Sequence, residues 1–349
     1  MALADLWAVE MLIAAFAGGA FGAALGALPA FIFTGFMVIA GETAVIANVD
    51  AGSITGSVAF GAPFSPAISF AGGAAAAAYA AKRGYMESGF DYHNAKDIAF
   101  ALGTKPDVLA VGGVFGIIGY WLTVASATFA MPYDHIAMGV TLSALIHRVA
   151  FGYDIVGKAR GKGFLDMSPF EREEMRVMGE AATDGGSVET DGGTATASRL
   201  AVEPWLPHQY KWGNVAAIGV VVGILGGYIA MVTGSAFLTF GISAASLLFL
   251  NLGVERIPVT HHMALPGSTA ALAVSNGGEG SLAVALLVAG AFGLICALFG
   301  ELFQRIFYAH GDTHWDPPAA AIVFGTFLVA VLYIAGVFPS SSWVATLGI

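Results

Sequence analysis

Residues 282–300, LAVALLVAGAFGLICALFG, hold no charged side chain, and this run decides the fold class. About 20 consecutive apolar residues span a bilayer core as a helix, which satisfies its own backbone N–H and C=O groups where no water can. Comparable runs lie near 8–27, 29–48, 64–81, 107–129, 135–153, 213–232, 235–252, 264–277, 281–305 and 317–337. The third and eighth are short, and both begin at a proline motif. The pattern predicts an all-α polytopic membrane protein with ten transmembrane segments.

Composition points the same way. Hydrophobic residues make up 57% of the 349-residue chain and charged residues 11%, whereas a soluble domain clothes itself with roughly a quarter charged residues. Mean hydropathy is +0.77. The 47 glycines suit helices that pack closely in lipid. A net charge of −10 excludes a nucleic-acid binder, which needs a basic surface. The single cysteine, Cys296, excludes an internal disulfide and a cysteine metal cluster. Residues Met1–Glu10 carry Asp5 and Glu10 and no basic residue, so they do not read as a signal peptide.

Basic residues set the expected orientation. Lys82, Arg83, Lys96 and Lys105 follow segment three, and Arg148, Lys158, Arg160, Lys162, Arg172, Arg176, Arg199 and Lys211 lie at or after the end of segment five. The connections 49–63, 130–134, 233–234 and 278–280 contain no Lys or Arg. Ten crossings of the cell membrane with both termini outside put every basic cluster in the cytoplasm. The chain then divides into a membrane half 1–153, a cytoplasmic linker 154–212 and a second membrane half 213–349. In the linker the sequence predicts a helix over Ser168–Gly179 and a disordered Gly/Thr/Ser/Asp-rich tether over 180–198.

The two halves share features in the same order. Gly18, Gly22 and Gly26 match Gly219, Gly223 and Gly227; Asn48 with Pro63-x-Ser65-x-Ala67 matches Asn251 with Pro266-x-Ser268-x-Ala270. Gly113-x-Phe115-Gly116-x-Ile118 matches Gly290-x-Phe292-Gly293-x-Ile295, and Asp134-x2-Ala137 matches Asp316-x2-Ala319. Five segments per half insert the second half upside down, the inverted repeat of many carriers and some channels. The glycine ladders then serve close packing, within one protomer or between protomers of a homo-oligomer.

Carriers of this kind place substrate where short helices break near the midplane. Proline frees a carbonyl, so Pro63, Ser65, Pro266, Ser268 and Thr269, with Asn48 and Asn251, are the candidate pathway residues. Glu42 is the acidic side chain well inside a segment; it is a candidate for cation binding or proton coupling, or a hydrogen-bonded packing residue. His261 and His262 are candidates for gating, or interfacial histidines facing water. The run His310-x-Asp312-x-His314-x-Asp316 has metal-ligand character, with a polar turn and helix N-cap as the alternative. No phosphate-binding glycine loop, His-Glu-x-x-His or nucleophile elbow is present, so neither enzyme nor cofactor is expected.

The five-plus-five plan resembles urea transporters in topology, and Leu265-Pro266-Gly267-Ser268-Thr269 approximates their leucine-proline motif. The acidic, Lys-poor balance, with its loop Gly185–Gly193, resembles membrane permeases of halophilic archaea. The resemblance implies a transporter or channel for a small neutral or weakly charged solute or ion, with its pathway between the repeats. Its rivals are a structural or assembly membrane protein, and a membrane enzyme with a metal site on the cytoplasmic side.

Overall fold

The structure is a computed structural model that describes residues 3–49, 53–86, 92–177 and 198–348. It is almost wholly helical. The elements are α1 (Val9–Leu25), α2 (Ala27–Ile46), α3 (Ala71–Lys82), α4 (Pro106–Thr128), α5 (His135–Phe151), a single turn α6 (Ser168–Glu171), α7 (Trp212–Thr233), α8 (Leu238–Asn251), α9 (His261–Val274), α10 (Leu282–Phe303) and α11 (Pro317–Ile334). Wide π-helical turns precede α3 (Ile54–Ala59 and Pro66–Phe70) and extend α10 (Gln304–Tyr308). Among the described residues, five helical stretches are long and apolar enough to cross a membrane: Ala27–Ile46, Pro106–Thr128, Trp212–Thr233, Leu282–Tyr308 and Pro317–Ile334. Large apolar side chains point outward from them, Leu287 at 74% exposure and Val221 at 60%, as lipid-facing residues do.

The helices assemble by one packing scheme used in both halves. In the first, α1 packs on α4, the α3 segment packs on both, and α5 covers α3 and α4. In the second, α7 packs on α10, α9 packs on both, and α11 covers α9 and α10. The halves meet through α2 against α8 and α5 against α11.

Close approach explains the glycines. A Cβ on Gly116 would lie 2.3 Å from the Ala15 carbonyl oxygen, and one on Gly293 would lie 2.2 Å from that of Gly219. No side chain fits there, so backbones touch and dispersion contacts replace the side chains. The ladders are thereby used inside the chain: Gly18 and Gly22 abut Ala62 and Ser69, while Gly219, Gly223 and Gly227 abut α10.

Two expectations need correction. The helix expected over Ser168–Gly179 ends at Glu171, and Met175–Val177 instead forms strand β1, antiparallel to β2 (Ser198–Leu200). Its continuation in the tether 180–198 falls outside the described residues, apart from Ser198. Pro266 also does not break its segment, because α9 runs through it from His261 to Val274. The break belongs to the first half, where a turn at Ser65 separates the two wide turns and Pro66 takes the first helical position.

Candidate functional site: a cavity between the halves

A cavity of about 1330 Å³ opens between the two halves. Leu28 and Phe31 of α2, Ala137 and Val140 of α5, Phe240 and Leu247 of α8, and Ala319 and Ile322 of α11 form its sides. These are the helices through which the halves meet. Lys211, Glu255 and Arg256 line one end, beside the start of α7 and the loop after α8. Asp134 and His135, at the start of α5, line it as well, with Trp343. Most of the wall is aromatic or aliphatic, and Phe237 of the second half sits between Phe60 of the first, edge-on at 5.4 Å between centroids, and Trp343, tilted at 5.0 Å.

Four polar side chains stand out on this apolar wall. His261, at the start of α9, is 5% exposed and sits 4.8 Å from the Phe31 ring and 5.9 Å from the Phe240 ring. Its Nδ1 has no hydrogen-bond partner among the described residues. His314 is 2% exposed, lies edge-on to Phe70 and Tyr308, and pairs through Nε2 with Asp316 Oδ1 at 3.2 Å. Asp316 caps α11 by accepting the Ala319 N–H on its other oxygen at 2.8 Å. Asp134 caps α5 in the same way, accepting the N–H groups of Ile136 and Ala137. Both capping carboxylates line the cavity. Its charge is held in place by the partial positive charge of a helix start.

The segment joining the halves closes over this end. Glu203 accepts Lys96 Nζ at 2.6 Å with both side chains fully buried, and Tyr308 lies under the ammonium at 4.6 Å. Burial pushes the Lys96 ammonium down to about 8 despite the pull of Glu203. Trp205 N–H donates to Gln304 Oε1 at 3.1 Å, and the Gln209 amide exchanges two hydrogen bonds with the Val259 backbone, at 2.9 and 3.0 Å. Asp312 accepts Arg176 at 2.8 Å and Arg199 at 2.6 Å. Burial alone would raise the Asp312 carboxyl, but the two guanidinium groups hold it below its ordinary value.

Of the candidate pathway, gating and metal residues read from the sequence, Asn251, His261, His314 and Asp316 line the cavity. The remainder lie elsewhere, for reasons that the geometry makes plain. Asn48 ends α2 in the left-handed region (φ 53°), exposed, a conformation asparagine tolerates. Pro63 is exposed in the turn before Ser65. Ser65, 2% exposed, is the residue before Pro66, and its carbonyl accepts the Ser69 hydroxyl. Ser268 donates to the carbonyls of Ala236, 2.6 Å, and Leu265, 2.9 Å. Thr269 donates to Leu265 and accepts the Trp343 indole N–H at 2.9 Å. The hydroxyls of Ser268 and Thr269 thus satisfy backbone carbonyls, and neither residue lines the cavity. Pro266 meets the Cβ position of Gly325, and Cys296 meets it at 2.5 Å.

Glu42 accepts the hydroxyls of Thr55, 2.7 Å, and Ser235, 2.5 Å, and so ties the first half to the start of α8. His262 faces Trp205 and Gly300 away from the cavity. His310, Asp312 and His314 go to separate partners: the Phe164 carbonyl, the two arginines, and Asp316. Among the described residues no three His, Cys, Asp or Glu side chains come together to hold a metal.

Sequence reasoning missed the aromatic wall, Lys96 with Glu203, and the buried stretch Arg199–Tyr210. Residues 201–204 are buried consecutively and Leu206 after them, with no period of two or 3.6 to mark an element. The one usable signal was charge: Glu203 is the acidic residue of an otherwise apolar and prolyl run, Leu200–Pro207.

Neither a curated protein nor a solved structure matches this sequence. A family model described as a family of unknown function, DUF7973, matches residues 1–347, the length over which the cavity, its walls and its closing segment are distributed, and the chain belongs to that family.

Proposed function

We propose that the protein is a membrane transporter or channel whose solute passes through the cavity between two inverted five-helix repeats. The observation that carries this reading is the cavity's position, bounded by α2 with α8 and by α5 with α11. Inverted-repeat transporters bind at the repeat interface and admit solute by rocking one repeat against the other. Corresponding elements form both seams here, so either half could move as a body. Glycine contacts support the repeat in one register: Gly72 abuts Gly19 and Gly112, as Gly267 abuts Gly223 and Ala289. That register pairs Gly72 with Gly267, not Pro63 with Pro266. Ten crossings with both termini outside leave residues 154–212 in the cytoplasm, with Lys211 and Arg256 at the cytoplasmic mouth.

A purely structural role does not call for a cavity of this size between the halves. Flux of radiolabelled solutes into proteoliposomes tests the proposal, comparing wild type with Ala319→Trp, which fills the cavity from α11. Solute uptake lost in the variant supports it. Uptake unchanged by the indole, or no uptake of any solute by folded wild type, overturns it.

A further inference from the structure

We propose that the cavity selects an organic cation with an apolar body, an alkyl- or arylammonium, with its charge at Asp316 and its body against Phe31, Phe70 and Phe240; this rests on the transport reading above. Four observations converge. First, 1330 Å³ far exceeds the space a urea-sized solute needs and accommodates a ligand of drug size. Second, the wall is aromatic, and ring faces attract cations while giving nothing to anions.

Third, the capping carboxylates Asp134 and Asp316 line the cavity, whereas Lys96, also on its wall, is already neutralised by Glu203 at 2.6 Å. Lys211 and Arg256 stay at the mouth, where Glu255 accompanies them. Asp316 uses one oxygen on Ala319 and one on His314, and a carboxylate offers about four lone-pair sites, so acceptor capacity remains. Fourth, the His261 ring lines the same space 4.8 Å from the Phe31 ring and 5.9 Å from the Phe240 ring, so the aromatic surface is continuous around the place where the body of the solute would rest. The chain's net charge of −10 favours the approach of a cation from either side.

The test is calorimetric titration of the full chain in detergent with benzyltrimethylammonium, and with benzyl alcohol and phenylacetate as neutral and anionic counterparts. The cation should bind most tightly. Asp316→Asn, which keeps a helix-capping side chain, and Phe240→Leu, which keeps apolar bulk, should each weaken it about tenfold, the scale of one desolvated charge or ring contact. Asp107→Asn, beside Tyr79 and outside the cavity, should leave it unchanged. Equal or tighter binding of benzyl alcohol or phenylacetate overturns the inference, as does unchanged cation binding in both folded variants. Cation binding without flux in proteoliposomes retains this site and sinks the transport reading. Flux of phenylacetate blocked by Ala319→Trp, with no cation binding, does the reverse.

Discussion

Lys96 and Glu203 form a fully buried ion pair, Nζ to Oε2 at 2.6 Å, between the loop after α3 and the segment that joins the halves. A buried pair is weak evidence for stability, but removing one partner strands the other charge in low dielectric. Here the stranded charge would sit at the edge of the cavity. Lys96→Met is expected to destabilise the protein by about 3–5 kcal/mol, whereas Lys96→Met with Glu203→Leu should recover most of that loss. Thermal unfolding in detergent, run as a double-mutant cycle, reads both values. Equal losses in the single and double variants would contradict the pairing.

The backbone contact of α7 with α10 predicts a steep response to one methyl group. Gly293→Ala would place a Cβ 2.2 Å from the Gly219 carbonyl and should cost about 1–3 kcal/mol through overpacking. Gly213→Ala meets nothing within 4 Å and should be neutral or slightly stabilising. A shared melting temperature for the two variants would argue against the packing described.

Much of this was legible in the sequence, and the reasons are specific. A run such as 282–300 has one physical solution in lipid, so its segment is found to within a few residues at Leu282–Phe303. Asp134 and Asp316 announce helix starts because a carboxylate before an apolar run satisfies free N–H groups, and both caps form. Pro266 misled because a membrane helix tolerates proline where neighbouring helices pack tightly, and Gly325 of α11 gives it that room. Ser268 and Thr269 misled because a hydroxyl in lipid can as readily bond its own helix backbone as face a pathway. Arg199–Tyr210 was hidden because single buried residues fixed by long-range partners, such as Trp205 on Gln304, leave no periodic trace.

Acid should loosen that joining segment. Asp312 is held below its ordinary value by Arg199 and Arg176. The stabilisation is therefore fully present above the unfolded aspartate pKa, about 3.9, and is lost as pH falls below it. Hydrogen exchange of residues 198–210, corrected for the intrinsic pH dependence of amide exchange, should be constant from about pH 7 to 5 and rise below about pH 4 in a way that Asp312→Asn abolishes. A rise near pH 6 would point to another group.

Thr269 separates a structural hydroxyl from a pathway hydroxyl. Thr269→Val removes the acceptor of the Trp343 indole N–H and should cost about 1–3 kcal/mol, while leaving the choice of solute unchanged. Flux selectivity measured beside melting temperature distinguishes the two. Altered selectivity at unchanged stability would return Thr269 to the pathway.

The central claim is that solute crosses through the space between the halves, and one cysteine tests it most directly. Cys296 is buried and can be replaced by alanine, leaving Ala319→Cys as the sole thiol on the cavity wall. Proteoliposome flux is measured before and after a membrane-impermeant thiol reagent, with Ala285→Cys, buried outside the cavity, as the control. The account predicts rapid labelling of Ala319→Cys, loss of flux on labelling, and protection by excess transported solute, with the control unaffected. Full labelling at position 319 with undiminished flux would contradict it.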